Sequence, residues 1–224
     1  MTIEPIAYFH SPFSSKFGIP RQSGVVKSLR GEIRFTSPFN KEEAIRGMEL
    51  YDRLWLIWEF NGNGESDSLL VRPPRLGGNE KVGVFASRSP FRPNRLGLSC
   101  VKIEQITKDS EGIRIVVSGA DLMDNTPIYD IKPYVAYADS YPDSKSGFVD
   151  VKEWNTLDVE LSQDIINSVK GLDSDDFIAI KETLSQDPRP KYHDNPQRIY
   201  GMEYKGHDIR FKVTNNTLTI VEII

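Results

Sequence analysis

The sequence has one cysteine and three histidines among 224 residues, and these small numbers exclude several kinds of chemistry. Cys100 alone cannot form an intrachain disulfide or a cysteine-based metal cluster. The histidines lie at 10, 193 and 207, without the short spacing of zinc-enzyme ligands. The sequence also lacks a Gly-x-Gly-x-x-Gly turn, a P-loop and a Gly-x-Ser-x-Gly elbow. These absences disfavour a zinc enzyme, a Rossmann dinucleotide site, a P-loop NTPase and a serine hydrolase, and we predict no metal.

Long hydrophobic runs are missing too, because no segment approaches the ~18 apolar residues that a membrane helix requires. The first residues lack the basic and apolar regions of a secretory signal. Cys100 lies in an apolar strand, where a small buried residue is a better interpretation than a nucleophile. With 38% hydrophobic and 27% charged residues, the chain is expected to be a globular, cytoplasmic protein.

The net charge of −4 hides a strong local segregation of charge. Residues 72–95 contain six basic side chains and one acidic side chain, and residues 16–34 contain five and one. Residues 150–187 reverse the balance, with ten acidic residues and three lysines. Both basic segments are rich in glycine and proline and are therefore expected in exposed loops. This pattern predicts a basic face for a polyanion or a phosphate.

Residues 82–97 form the most informative segment, a short apolar strand followed by a proline-rich basic loop. Pro90 and Pro93 each fix a backbone dihedral and bias the preceding residue toward extended geometry. Arg88, Arg92 and Arg95 are therefore expected to project from a stiff segment. The alternative is a solvated basic loop that merely joins two strands.

The first 135 residues read as a series of short strands, which favours a β-barrel or sandwich over a doubly wound sheet. One helix is predicted there, with Asn40 as its N-cap and Glu42 and Glu43 in the first turn. The predicted strands are 6–9, 33–36, 53–60, 82–86, 98–106, 113–118 and 128–131.

A polar connection over residues 135–155 predicts a domain boundary, so that residues 1–140 form a β-barrel domain and residues 141–224 a small α+β domain. Apolar spacing predicts one helix through Ile165, Val169 and Leu172, and a second that ends before Pro188. The last residues predict a three-stranded meander, whose strands are 199–204, 209–213 and 218–223.

Asp121, Asp124 and Asp130 form the one carboxylate cluster of the sequence. Their spacing is compatible with a magnesium site or with acid–base chemistry. Turn chemistry is the competing interpretation, because residues 124–127 make a good Asx turn. A turn carboxylate can still accept hydrogen bonds from a ligand hydroxyl or amine.

Five ordered segments of unusual sequence, residues 11–24, 72–78, 84–94, 121–134 and 187–192, together resemble the TrmO family of S-adenosylmethionine-dependent tRNA N6-methyltransferases. The resemblance covers nearly the whole chain and is weakest over residues 140–180. It implies a barrel-type cofactor domain unlike the Rossmann methyltransferases, a small C-terminal domain and a homodimer. It also implies methylation at N6 of threonylcarbamoyladenosine beside the anticodon of threonine tRNA.

The same resemblance implies a set of cofactor-binding positions. These are Pro20, Arg21, Gln22, Asn61, Gly62, Arg88, Leu98, Asp121, Leu122, Met123 and Asp124. The chain departs from the family pattern in three places. Asn61-Gly62 stands where a His-Gln pair is common, Arg95-Leu96 stands where Pro-Ile is usual, and Asn125 replaces a glycine.

Methyl transfer from a sulfonium requires in-line positioning, a dry pocket and acceptors that tolerate a cation. Asp121 or Asp124 can accept hydrogen bonds from ribose, adenine or amine groups, and Arg88 or Arg21 can pair with the methionine carboxylate. The acceptor amine is a poor nucleophile, so a nearby hydrogen-bond acceptor and a stacking ring would help. The candidates are Asn94, Asp130 and Tyr134, and each has a turn or core role as its alternative.

A tRNA substrate would need cations for its phosphates, and binding would then depend steeply on salt. The candidate RNA-binding residues are Arg75, Arg92, Arg95, Lys132, Arg189 and Lys191. Bases of the single-stranded anticodon loop would be recognised by stacking and edge contacts. Two alternatives stay open at this stage: a non-catalytic module for an adenosine ligand, and an RNA-binding β-barrel that uses surface aromatic side chains.

Overall fold

The computed structural model describes residues 2–62, 64, 67–77, 80–151, 155–190 and 195–224. Within these ranges the chain forms twelve strands, five α-helices and three 3-10 turns. The strands are β1 Ala7–His10, β2 Arg30–Phe35, β3 Arg53–Glu59, β4 Leu70–Val71, β5 Val82–Gly83, β6 Leu96–Asp109, β7 Gly112–Ser118, β8 Thr126–Pro133, β9 Asp158–Glu160, β10 Tyr200–Tyr204, β11 His207–Thr214 and β12 Thr217–Ile223. The helices are α1 Glu42–Ile45, α2 Ala136–Asp139, α3 Phe148–Val151, α4 Gln163–Ser168 and α5 Ser174–Ser185, and the 3-10 turns are Met48–Leu50, Pro74–Leu76 and Val84–Ala86.

Six antiparallel strands close into a barrel in the order β1-β2-β7-β6-β3-β8. Strand β6 pairs with β3 through its first half and with β7 through its second half, and a bulge near Ile103 allows it to bend between the two. Side chains along β3 alternate, so that Leu54, Leu56 and Trp58 fill the barrel while the residues between them remain half-exposed. The predicted mainly β, barrel-like fold class is confirmed.

The predicted strand over residues 82–86 is wrong beyond Gly83, because Val84–Ala86 is a 3-10 turn. Local polar contacts replace strand pairing at these residues. The Ser87 hydroxyl and the Arg92 guanidinium both donate to the Val84 carbonyl, which holds that carbonyl out of a sheet. The basic loop therefore begins earlier than the apolar run indicated.

The predicted cap of α1 is also wrong, since Lys41 occupies the N-cap position and Asn40 lies outside the helix. The Asn40 side-chain oxygen instead accepts a hydrogen bond from the Ile113 N–H at 2.8 Å. Its amide therefore ties this loop to the start of β7. The side-chain oxygen that was expected to cap α1 is therefore bonded to Ile113, 73 positions away in the sequence.

The C-terminal residues form a four-stranded sheet in the order β10-β11-β12-β9. Its first three strands are the predicted meander, and positive φ values at Lys205, Gly206 and Asn215 form its tight turns. Strand β9 was not predicted. It contains a single apolar residue, Val159, between two acids, and it pairs in parallel with β12 over a long sequence separation.

Helix α5 has the predicted apolar face and a reciprocal capping box between Asp173 and Asp176. The helix predicted before it is shorter than expected. α4 ends at Ser168, so Val169 is its C-cap and Leu172 lies outside it. The backbone of Val169 is extended, with φ −94° and ψ 133°, and this ends the helical path.

Two apolar cores fill the molecule, one inside the barrel and one between α5 and the C-terminal sheet. The second core also takes side chains from residues 11–29, a connection between β1 and β2 that we call the strap. Phe13, Val26 and Leu29 of the strap are at most 3% exposed in that core. The boundary at residue 140 stays a prediction. In the described part of the chain, no helix has the length and apolarity needed to cross a membrane.

Candidate active site

The strap lies against the barrel where β7 ends and carries three of the predicted cofactor positions. Its backbone is fastened to the barrel at Gly24, whose N–H donates to the Gly119 carbonyl at 2.8 Å. The Ser23 hydroxyl accepts a hydrogen bond from the Cys100 N–H at 3.2 Å. Pro20 is buried, whereas Arg21 remains exposed. Partial burial lowers the pKa of Arg21, and the nearby Asp187 opposes this shift.

Gln22 and Arg88 meet at the barrel mouth, although they are 66 residues apart in sequence. The Arg88 guanidinium donates to the Gln22 side-chain oxygen at 2.6 Å. The Gln22 amide in turn donates to the Arg21 carbonyl at 2.6 Å, which orients its oxygen toward Arg88. A neutral partner leaves the positive charge of Arg88 uncompensated by that contact and suits it to an incoming carboxylate.

Asp121 lies beside this pair, at the end of a hydrogen-bonded chain that starts inside the barrel. The Trp58 indole N–H donates to the Ser99 hydroxyl at 2.9 Å, and Ser99 donates to Asp121 Oδ1 at 2.5 Å. Burial raises the pKa of the Asp121 carboxyl to about 6, although hydrogen bonds from Ser99 and Ser23 and the charge of Arg88 act in the opposite direction. A desolvated carboxyl of this kind gains stability from a positively charged ligand.

Asp124 belongs to a second group of residues, in which it forms hydrogen bonds with backbone groups. Its carboxylate accepts a hydrogen bond from the Ser11 N–H at 3.1 Å, and His10 Nδ1 lies 3.4 Å away. Its own N–H donates to the Phe13 carbonyl at 2.8 Å. Asp124 therefore fastens the start of the strap, in agreement with the turn interpretation, and no metal-type cluster of His, Cys, Asp and Glu appears among the described residues.

Asn61 and Gly62 lie next to that group. The Asn61 amide donates to the Asn125 carbonyl at 3.1 Å, and Lys16 Nζ contacts the Gly62 carbonyl. A Cβ at Gly62 would lie 3.3 Å from Met123 Cε, so Met123 faces this turn. Leu122, by contrast, is 1% exposed in the barrel core and can reach a ligand only through its backbone.

Two arginines of the basic loop fold back on the protein instead of projecting freely. Arg92 Nη1 donates to the Ser87 carbonyl at 2.7 Å and to the Val84 carbonyl at 3.3 Å. Arg95, at a φ of 51°, pairs with Glu59 at 3.1 Å. The expectation that Arg92 and Arg95 project from the loop is therefore wrong, because their guanidiniums bond to groups of the protein itself.

Asp130 and Tyr134 lie on the outer face of the barrel and not beside Asp121. Strand pairing places Asp130 opposite Ile57, which in turn lies opposite Leu98, a residue that is 57% exposed. Two strand spacings of about 4.8 Å therefore separate Asp130 from Leu98. The Tyr134 ring packs against Trp55 with a centroid distance of 5.9 Å.

The remaining predicted residues are scattered. Lys132 pairs with Asp130 at 3.1 Å, and Asn94 is exposed at the tip of the basic loop. Arg189 is 14% exposed and pairs with both carboxylate oxygens of Asp187. Arg75 lies in a 3-10 turn, Pro74–Leu76, beside the basic loop in sequence. Lys191 lies outside the described residues.

The N-terminal and C-terminal parts of the chain each match a known family model. The tRNA-methyltransferase O N-terminal domain matches residues 8–140, and the TrmO C-terminal domain matches residues 155–224. The chain belongs to the TrmO family. The resemblance found from the five sequence motifs is thereby confirmed.

Relatives within the TrmO family align over most of this chain. The tRNA (adenine(37)-N6)-methyltransferase of Escherichia coli (strain K12) is 35% identical over 218 residues, which cover 95% of this chain and 93% of that protein. A protein of the same name from Homo sapiens is 35% identical over 198 residues, covering 87% of this chain and 42% of that protein. The crystal structure of TrmO from Pseudomonas aeruginosa superimposes with a TM-score of 0.80 at 30% identity, covering 100% of this chain and 98% of that chain.

Motif comparison within the TrmO family did not identify four residues that the structure places at the site. Ser23 and Ser99 both bond to the Asp121 carboxyl, and Trp58 supports Ser99 from inside the barrel. Glu59 forms an ion pair with Arg95 and accepts a hydrogen bond from the Tyr129 hydroxyl, whose pKa this hydrogen bond raises to about 12. Only the position of Ser99 beside Leu98 in an alternating strand could have indicated one of these roles.

Proposed function

We propose that the chain is an S-adenosylmethionine-dependent tRNA methyltransferase that methylates N6 of adenine 37. More specifically, we propose that its substrate is threonylcarbamoyladenosine in threonine tRNA. The observation that carries the proposal is the meeting of Gln22, Arg88 and Asp121 at one end of the barrel. These residues offer an anion contact and a desolvated carboxyl side by side, which together suit an amino-acid zwitterion attached to a sulfonium.

The residues present fit this methyl donor. Arg88 can exchange the neutral Gln22 oxygen for the donor's carboxylate, and Asp121 can accept hydrogen bonds from an amine or a hydroxyl. Leu98 offers an exposed apolar surface for an adenine ring. When bound, the sulfonium supplies an electrophilic methyl group, whose transfer breaks a C–S bond and forms a C–N bond. The protein's task is to align the acceptor amine with that methyl group.

We propose Asp130, Asn94 and Tyr134 as the residues on the acceptor side. A carboxylate that accepts the adenine N6–H increases the electron density on nitrogen and can remove the proton released by transfer. Asp130 is within two strands of Leu98, and its side chain is 47% exposed on the outer face although it pairs with Lys132. If this role is correct, Asp130→Ala slows single-turnover methylation, whereas undiminished turnover would refute it.

We propose that the tRNA crosses the basic loop and the outer face of β8. Arg75, Arg92, Arg95 and Lys132 line this path from neighbouring segments and can neutralise phosphates. Arg189 and Lys191 are proposed as additional contacts from the C-terminal residues. Arg189 would have to give up part of its contact with Asp187.

We further propose that the protein acts as a homodimer in the cytoplasm. Two adjacent segments expose large apolar side chains, because the Val84 N–H donates to the Leu69 carbonyl and brings Phe85 near Leu70. Leu69, Leu70 and Phe85 are 64%, 52% and 74% exposed. Apolar surface of this kind beside a site is typical of a protein interface. We also propose that residues 1–140 form the cofactor domain and residues 141–224 the accessory domain.

The decisive experiment incubates the purified protein with methyl-labelled S-adenosylmethionine and two pools of total tRNA, with and without the threonylcarbamoyl modification. Label transfer to the modified pool alone is expected. Equal transfer to both pools would refute the specific substrate. Cofactor binding without transfer would favour a binding module, and tRNA binding without cofactor binding would favour a plain RNA-binding barrel.

A further inference from the structure

The strap has two faces with different partners. Its polar groups face the barrel end, where Gln22 contacts Arg88 and Ser23 contacts Asp121. Its apolar side chains face the opposite way. Phe13, Val26 and Leu29 belong to the core formed by α5 and the C-terminal sheet, and none of them belongs to the barrel core.

Ring contacts join the strap to the C-terminal sheet. Phe13 meets Tyr204 edge-on with a centroid distance of 5.6 Å, and Phe17 stacks on Phe211 at 6.4 Å. The Tyr204 hydroxyl is itself fixed, because it donates to the buried Asp176 carboxylate at 3.0 Å. The strap thus rests on side chains that have defined orientations.

At Gly18 the strap backbone passes directly over Met202 of β10. Gly18 has a φ of 98° and is buried, and a Cβ built on it would lie 2.6 Å from both Met202 Cγ and Sδ. No side chain fits between the two residues. Met202 is 0% exposed, and it therefore sets the distance between β10 and the strap backbone at Gly18, two residues before Pro20.

Hydrogen bonds on either side of this contact hold the strap ends to the same unit. The Lys205 N–H donates to the Pro12 carbonyl at 2.8 Å. The Ser28 N–H and hydroxyl both donate to Glu182 of α5, at 3.1 and 2.8 Å. The strap is therefore clamped by the C-terminal unit at its start, its middle and its end.

We propose that the C-terminal unit positions the cofactor site through the strap, and that Met202 is the positioning residue. Met202 belongs to the C-terminal core and is not one of the residues assigned to the site. It acts by fixing the path of the backbone that presents Pro20 to Ser23 to Arg88 and Asp121. This inference rests on the proposed function, because it assigns the cofactor to that end of the barrel.

The test compares three variants of the full chain. Met202→Ala removes the support beneath Gly18, and Met202→Leu restores most of its volume. Leu218→Ala is the matched control, because Leu218 is 0% exposed in the same core but lies on β12, where it pairs with Val213 and Val159. It makes a comparable cavity two strands away from β10.

Each variant is titrated with S-adenosylhomocysteine in a calorimeter below its melting temperature, and hydrogen exchange is measured over residues 13–24. Met202→Ala is expected to raise the dissociation constant about tenfold, the equivalent of roughly 1.4 kcal/mol, and to speed exchange in the strap. Turnover at saturating cofactor should change much less. Met202→Leu should restore both readouts, and Leu218→Ala should lower the melting temperature without weakening binding or loosening the strap.

Equal weakening by Met202→Ala and Leu218→Ala would overturn the positioning role, since the effect would then follow general stability. Unchanged binding in Met202→Ala, or strap exchange equal to wild type, would overturn it as well. Failure of the wild-type protein to bind S-adenosylhomocysteine would instead overturn the proposed function, and this inference with it. The two failures are therefore distinguishable.

Discussion

Asp121 is an ionisable carboxyl group in a desolvated position, and ionising a carboxyl there costs free energy. Its folded-state pKa is about 6 against an ordinary value of 3.8, because burial penalises the charged form. Relative to the unfolded chain, the native protein therefore favours the neutral carboxyl. This preference stabilises the fold fully below pH 3.8 and is lost as the pH rises through about 6. Above that range the ionised carboxylate costs at most about 3 kcal/mol of folding stability.

This cost leads to a prediction about cofactor affinity and pH. A cationic donor interacts best with the ionised carboxylate, so binding should tighten as the pH rises from 5 to 7, by up to about tenfold per pH unit below the pKa. Asp121→Asn should bind weakly at every pH and should be more stable than wild type at pH 8. Calorimetric titrations at four pH values check this, and a variant that keeps the wild-type pH dependence would exclude Asp121 as its source.

A second prediction concerns Arg92, whose guanidinium has a positive charge and also forms two hydrogen bonds within its loop. Arg92→Glu should weaken tRNA binding at low salt by about tenfold or more, through lost phosphate attraction and added repulsion. Cofactor binding should weaken less.

The matched control is Arg92→Lys, which keeps the charge but not the planar guanidinium whose Nη1 donates to two carbonyls. It should retain more tRNA affinity than the Glu variant while losing some thermal stability. Equal tRNA affinity in wild type and Arg92→Glu would show that Arg92 only braces the loop.

At the scale of single elements, the pairing of β3 with β6 places Gly97 against the Trp58 indole. A Cβ at Gly97 would lie 2.4 Å from the buried ring, which has no flexible end to move aside. This close approach explains why the strand carries glycine there. It also connects strand packing to the site, because the same indole donates to Ser99 and thereby orients Asp121.

Gly97→Ala should therefore destabilise the protein by about 1–3 kcal/mol, the usual effect of overpacking, and should weaken cofactor binding together with stability. Gly83→Ala is the control, because a Cβ there meets nothing within 4 Å. Chemical denaturation and cofactor titration of both variants check the prediction. Full cofactor affinity in a destabilised Gly97→Ala protein would show that Trp58 does not support the site.

Across the whole protein, the strap couples the folding of the two apolar cores. Phe13, Val26 and Leu29 leave the barrel unit in sequence and are buried in the other unit. Polar contacts between Arg30 and Asp175, at 2.8 Å, and between Ser28 and Glu182 reinforce the junction. A barrel without its partner unit would expose these apolar side chains to water.

We expect the full chain to unfold in a single calorimetric transition, with the van't Hoff enthalpy equal to the calorimetric one. Phe13→Ala should lower stability by about 3–5 kcal/mol and broaden or split the transition, because it weakens the contact shared by the two units. Two well-separated transitions in the wild-type protein would show that the units fold independently despite the shared core.

Local sequence patterns were enough to specify most of the strands of this protein and its family. Alternating apolar residues in short segments specified strands, and the prolines specified a stiff loop, because both depend on geometry within a few residues. The motifs around Arg88 and Asp121 specified the family for the same reason, since the identity of a motif does not depend on where it lies in space.

Which of these residues contact one another became clear only from the folded chain. The packing of the strap into the C-terminal core and the parallel pairing of β9 with β12 both join segments that are far apart in the sequence. Asp124 and Asp121 look alike in the sequence, yet one fastens a turn and the other is buried beside Arg88. Such differences arise from desolvation and long-range contact, which exist only once the barrel has closed and the strap lies across its end.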